Sequence, residues 1–156
     1  MPIRPEEVTI VIPHFGATQE QSNALDHCVY SLQETCEIPI LLALNGSPLQ
    51  IATRAKCVNN SNWIYVLGQG QCKAVNAAVA TINTPWILVS NDDMVYPPKW
   101  FERLRSVSEN VLCISPKLIE PIDGAPTFEK YFCGGAGGDF DKQKWLEFAG
   151  KYQEQA

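Results

Sequence analysis

The stretch Ile87-Leu88-Val89-Ser90-Asn91-Asp92-Asp93 decides how this chain is organised. Its first residues are apolar and favour a buried β-strand, and two adjacent carboxylates and an amide end it. Burying a carboxylate is unfavourable unless solvent, hydrogen-bond donors or a cation offset the lost hydration. Because Asp and Asn oxygens suit magnesium or manganese, the stretch predicts a divalent-cation site at the carboxyl end of a strand, where open α/β sheets bind ligands. An ordinary polar turn is the alternative.

Length and composition indicate one soluble globular domain. The chain has 156 residues, of which 46% are hydrophobic and 19% are charged, which argues against disorder. Its net charge of -5 argues against a nucleic-acid binder. The six cysteines form no C-x-x-C pair and most resemble core residues. With no signal peptide or membrane-length apolar run, we expect a cytoplasmic protein, and membrane attachment of a longer parent protein stays open.

Strands and helices alternate along the sequence. Apolar and β-branched runs predict strands at residues 8–12, 39–44, 63–67, 86–90 and 111–115. Apolar residues on one helical face predict helices at residues 21–36, from 98 onward and at 141–153. An alanine-rich run predicts another helix at 72–82, and a short helix is predicted at 49–58. Thr18 and Gln21 form a predicted capping box before the first helix. This alternation predicts an α/β fold with a central, mostly parallel sheet flanked by helices.

Polar and glycine residues follow the predicted strands and should gather at one edge of the sheet. There, Phe15 could stack on a nucleotide base, His14 could contact the base or a phosphate, and Asn45 could bind the base or ribose. Asp93 could coordinate a cation that bridges a diphosphate. The candidate nucleotide-binding residues are Pro13, His14, Phe15, Asn45, Gly46, Gly70, Asn76, Asn91 and Asp92, and the candidate metal ligands are Asp93 and Asn91.

The order of these motifs resembles that of family 2 glycosyltransferases, which have the GT-A (Rossmann-like) fold. The run from Val8 to Pro13 resembles the family's opening strand, and Leu44-Asn45-Gly46-Ser47 resembles its Asp-Asn-Gly-Ser turn. Gly70 followed by Asn76 resembles its Asn-x-Gly-(x)5-Asn segment. Ser90-Asn91-Asp92-Asp93 occupies the place of its Asp-x-Asp motif. Taken with the glycine-rich residues 134–150, the resemblance covers nearly the whole chain.

The resemblance implies an enzyme that transfers a sugar from a nucleoside-diphosphate donor, often UDP-linked, to an acceptor hydroxyl with inversion. Mn²⁺ or Mg²⁺ would neutralise the diphosphate, and the acceptor would be a carbohydrate, a lipid-linked molecule or a protein. The family's acidic general base follows the region that residues 134–150 resemble. We therefore expect residues 1–156 to form one domain that is incomplete at its C-terminus and lacks the base. We assign the role of general base to none of the acidic residues in this region, which are Asp139, Asp141 and Glu147.

Three residues depart from the family pattern. Asn45 replaces an Asp near the uracil, which leaves the preference for uridine open. Asn91 replaces the first Asp of the metal motif and predicts a weaker metal affinity. Gly68 stands where Asn is common.

Two alternatives come from other functional classes. One is a non-catalytic nucleotide-binding module of the same fold. The other is a dinucleotide-binding Rossmann domain, because Gly68-x-Gly70 follows a strand and Asp92 lies about twenty residues further on. Against it, Lys73 occupies the place of the third glycine, and the motif follows the third strand rather than the first.

Overall fold

The computed structural model describes residues 2–46, 61–105, 111, 113, 119–120, 129–130 and 140–154. The strands are β1 (Val8–His14), β2 (Ile40–Leu44), β3 (Asn62–Tyr65), β4 (Trp86–Val89), β5 (Ile119–Glu120) and β6 (Glu129–Lys130). The helices are α1 (Gln19–Thr35), α2 (Gln71–Val79), α3 (Trp100–Leu104) and α4 (Lys142–Glu154), and a 3-10 turn, Pro5–Glu7, precedes β1.

Four parallel strands form the main sheet in the order β3-β2-β1-β4. Helix α1 connects β1 to β2 and α2 connects β3 to β4, so the predicted α/β fold with a parallel sheet is confirmed. The chain moves outward from β1 to β3 and then returns to place β4 on the other side of β1. This reversal makes the boundary between β1 and β4 the point where open α/β sheets bind ligands, at the carboxyl ends of the strands. Strands β5 and β6 form a separate parallel pair.

Large side chains fill the face of the sheet that α1 and α3 cover. Thr18 starts α1 as its N-cap, and the predicted capping box with Gln21 is confirmed. Central strands β1 and β2 are buried along their whole length, whereas β3 and β4 are more exposed. The cluster on this face includes Ile10, Ile12, Leu42, Leu44, Leu25, Cys28, Leu32, Trp100 and Phe101.

Helix α2 covers the opposite face and buries small side chains against it. Ala74 and Ala78 of α2 are fully buried against Val11, Leu41 and Ala43. Because alanine keeps the helix axis close to the sheet, the N-terminus of α2 lies beside the strand ends.

Two predicted elements differ from the structure. Helix α3 begins at Trp100 rather than at Pro98, because Lys99 has a φ of 62° and this left-handed conformation cannot continue a right-handed helix. Val111 and Cys113, in the predicted fifth strand, lie in no strand or helix. The remainder of that strand, the predicted helix at 49–58, Asp139 and the glycine run at 134–138 lie outside the described residues. Within the described residues, no helix is long and apolar enough to cross a membrane.

Candidate functional site

Hydrogen bonds link the carboxyl ends of β1, β2 and β4 to the N-terminus of α2. We call the set His14, Asn45, Gly70, Gln71, Asn91 and Asp92 the edge ring. It includes the β1–β4 boundary, where the reversal of strand order predicts a ligand site, and extends to the end of β2.

The first link of the edge ring joins β1 to the turn after β4. His14 Nδ1 lies 2.6 Å from Asp92 Oδ2. The His14 side chain is only 2% exposed, whereas that of Asp92 is 28% exposed. One end of this pair is therefore fixed in the protein, and the other end faces the edge of the sheet.

Asn45 provides the second link, between the sheet and α2. Its backbone N–H donates to the His14 carbonyl at 3.0 Å. Its side-chain amide donates to the Gly70 carbonyl at 3.2 Å. Because side chains alternate along a strand, His14 and Asn45 leave their neighbouring strands towards opposite faces, and the ring spans the sheet edge.

Gln71, the first residue of α2, closes the ring. Its side-chain amide donates to Asn91 Oδ1 at 2.8 Å, and both residues are exposed. The helix is reached through Gly68 and Gly70, whose φ values of 87° and 123° are unfavourable for other residues. A Cβ at Gly68 would lie 3.0 Å from Lys73 Nζ, which places this ammonium beside the turn.

The turn after β4 is held by hydrogen bonds from Ser90, at its start, and from Cys28 of α1. The Ser90 hydroxyl donates to the Asn91 carbonyl at 2.8 Å, and the Cys28 thiol donates to the same oxygen at 3.5 Å. Burial, with a further contribution from the charges of Asp92 and Asp93, raises the pKa of the Cys28 thiol to about 12. The thiol therefore keeps its proton near neutral pH and remains a donor.

The structure brings five of the predicted nucleotide-binding residues into the edge ring: His14, Asn45, Gly70, Asn91 and Asp92. Pro13 is buried in β1, Gly46 directly follows Asn45, and Phe15 is 38% exposed in the loop after β1. Asn76 is exposed in the second turn of α2, and its side chain has no hydrogen bond to the ring in the described part of the chain. All these nucleotide-binding assignments stay predictions.

The predicted metal ligands lie at the same edge. Asp93 is exposed in the turn after β4, and the Asn91 side-chain oxygen accepts a hydrogen bond from Gln71. In the described ranges, no three His, Cys, Asp or Glu side chains are grouped to hold a metal ion. A cation here would therefore need oxygen ligands from a bound diphosphate or from water.

Three residues of this region were not identified as site residues from the sequence. Gln71 lies in the polar segment that the sequence places at this edge, directly after Gly70, but no role in the site was predicted for it. Cys28 is predicted only as a core residue, because its contact with Asn91 crosses 63 positions of sequence. Gly16 has a φ of 63° and adjoins the His14 ring, which no local pattern indicates.

Comparison with known families agrees with this geometry. The family model described as glycosyl transferase family 2 matches residues 9–111, which is more than half of the chain and contains the whole edge ring. No curated protein gives a significant match. The parallel four-stranded sheet with flanking helices is consistent with the GT-A fold of that family. The chain belongs to glycosyl transferase family 2.

Proposed function

We propose that this chain binds a nucleoside-diphosphate sugar, UDP-linked, at the edge ring and transfers the sugar to an acceptor hydroxyl with inversion. The observation that carries the proposal is the position of Asp92 and Asp93. Both follow β4 at the strand-order reversal, and Asn91, which directly precedes them, accepts a hydrogen bond from Gln71 at the start of α2. An acidic turn facing a helix N-terminus suits a diphosphate whose charge is shared between a cation and the helix.

The base and ribose would lie towards β1 and β2. Phe15 is exposed enough to offer one ring face to a base. Asn45 is only 5% exposed, and one N–H of its side-chain amide donates to the Gly70 carbonyl, which leaves its oxygen and its second N–H for a ligand. The diphosphate would then lie near Gly70, where an absent Cβ allows close approach and α2 presents its first backbone N–H groups.

The oxygen ligands present fit Mn²⁺ or Mg²⁺. Asp93 has no hydrogen bond or ion pair within the described residues, and its carboxylate is exposed. The Asn91 oxygen has a second lone pair besides the one that Gln71 uses. A bound cation would supply charge neutralisation of the diphosphate leaving group.

No residue is assigned as the general base. Asp141 Oδ1 accepts from the backbone N–H of Lys144 at 3.0 Å, which is the contact of a helix cap. Glu147 accepts from Gln143 one turn earlier in α4. These contacts lie within α4 and give neither acid a link to the edge ring. The second candidate function is a nucleotide-binding module of the same fold that does not catalyse transfer. The acceptor, whether carbohydrate, lipid-linked or protein, belongs to the first proposal.

Calorimetric titration of the chain with UDP, with and without Mn²⁺, tests the proposal. We expect UDP to bind at least tenfold more tightly with the metal, and Asp93→Asn to abolish that difference while the fold is retained. The matched control is Glu102→Gln, which removes an exposed carboxylate on α3. Metal-dependent binding that survives in Asp93→Asn would contradict the assignment of Asp93.

Two further measurements separate the alternatives. Displacement of UDP by NADH at comparable affinity would support a dinucleotide-binding domain. Release of UDP from a panel of UDP-sugars would show an enzyme, whereas UDP binding without any release would support the non-catalytic module.

A further inference from the structure

We infer that His14 is a positioning residue that holds the Asp92 carboxylate in place for the donor and does not itself touch the nucleotide. The inference rests on the proposed function of the edge ring. It assigns to His14 a role different from the direct contact that the sequence predicts.

The geometry of the pair indicates which group holds the other. An ionised carboxylate only accepts hydrogen bonds, so the 2.6 Å contact to Asp92 Oδ2 requires the proton to lie on His14 Nδ1. The His14 imidazole is 2% exposed at the end of the central strand β1, and the His14 backbone carbonyl accepts a hydrogen bond from the Asn45 backbone N–H. Asp92 lies in the turn after β4 with its side chain 28% exposed, so less of the surrounding protein restrains it. The imidazole therefore restrains the carboxylate.

The other ring nitrogen is closed off from any ligand. Within the described residues, His14 Nε2 is buried and has no hydrogen-bond partner. Gly16 covers it so closely that a Cβ at this position would lie 2.5 Å from Nε2. The φ of 63° at Gly16 allows this approach. Gly16 therefore covers the Nε2 side of the His14 imidazole and holds the imidazole with Nδ1 towards Asp92.

The two carboxylate side chains after β4 thus differ in conformational freedom. Asp92 has one oxygen fixed by His14 and its other oxygen left for a ligand. Asp93 is exposed and has no hydrogen bond in the described part of the chain. A fixed carboxylate loses less conformational entropy when a ligand binds, which raises affinity. Releasing Asp92 should therefore weaken binding of the UDP–metal complex.

Paired variants of His14 test this step. His14→Asn places an amide N–H near the position of Nδ1, whereas His14→Leu removes the donor. In titrations of UDP with Mn²⁺, we expect His14→Leu to weaken binding about tenfold and His14→Asn to recover most of that loss. A role in stability alone would not produce this rescue, because both variants remove the buried ring.

Gly16→Ala provides a second variant that keeps both partners chemically intact. The added methyl group should displace the ring and reproduce the loss seen with His14→Leu. The matched control is Gly150→Ala in α4, where a Cβ meets nothing within 4 Å. We expect that control to bind UDP like the unmodified chain.

Imidazole ¹⁵N spectra test the pair without any ligand. We expect the proton on Nδ1 of His14, with His27→Gln used to assign the two histidines. A proton on Nε2 with an unprotonated Nδ1 would overturn the inference. So would equal UDP affinity in the unmodified chain, His14→Leu and Gly16→Ala, while the proposed function would stand. If the unmodified chain binds no nucleoside diphosphate, the proposed function fails and the inference fails with it.

Discussion

The helices on the two faces of the sheet bury side chains of different size, large ones on α1 and α3 and small ones on α2. The first face, under α1 and α3, contains leucine, isoleucine and two aromatic residues of α3, and the second face contains two alanines of α2 against β1 and β2. Large buried side chains contribute most of the hydrophobic stabilisation. Small ones let a helix lie close to the strands. One face therefore mainly stabilises the fold, and the other mainly positions the N-terminus of α2 at the edge ring.

The largest expected loss of stability comes from a substitution on the face that α1 and α3 cover. Leu32 of α1 is fully buried, so Leu32→Ala should lower the free energy of unfolding by about 2–5 kcal/mol. Urea unfolding measures the loss, and the folded fraction should bind UDP normally because α2 does not move. A loss below about 1 kcal/mol would contradict the role given to this face.

On the face that α2 covers, we expect a substitution to cause a smaller loss of stability but a larger loss of UDP affinity. Ala74 is fully buried in the first turns of α2, so Ala74→Leu overpacks this face at a cost of about 1–3 kcal/mol. The displaced helix should break the contact between Gly70 and Asn45 and weaken UDP binding in the titration. Ala80→Leu, at an exposed position, is the control. Unchanged UDP affinity in Ala74→Leu would remove the link between alanine packing and the site.

The third effect is a dependence of stability on pH that arises from the first face. Burial raises the pKa of Cys28 from 9.0 to about 12 and that of Tyr96 from 10.0 to about 12. Above pH 9 the unfolded chain loses these protons before the folded chain does, so stability should fall as pH rises. Each group contributes a slope of about 1.4 kcal/mol per pH unit between its unfolded and folded pKa values.

Cys28→Ser tests that slope, because serine keeps a hydroxyl donor and does not titrate in this range. Urea unfolding between pH 8 and 11 should show a shallower decline for the variant than for the unmodified chain. Equal declines would show that the Cys28 thiol ionises as easily in the folded state as in the unfolded state.

The sequence was sufficient to predict the elements with strong local patterns. The β-branched run of β1, the apolar run before Asn91 and the capping box at Thr18 each depend on residues close together in the chain. Parallel strands then place their carboxyl ends at one edge, so the position of the candidate site also followed from the sequence.

The contacts within the site could not be predicted in the same way. The pair of His14 and Asp92 joins residues 78 positions apart, and the link of Asn45 to Gly70 spans 25. Both depend on the order of strands and on how closely α2 packs. The left-handed φ of Lys99 could not be predicted either, because lysine does not favour that conformation. As a result, α3 begins at Trp100 and not at the predicted Pro98.

Amide chemical shifts measured on adding UDP with Mg²⁺ test whether the edge ring binds a nucleoside diphosphate. We expect the largest changes at Asn45, Gly70, Gln71 and at Asn91 to Asp93. We expect small changes at Ile40 and Trp86, which begin β2 and β4 at the opposite edge of the sheet. Changes centred on that opposite edge, or no changes at saturating UDP, would contradict the account.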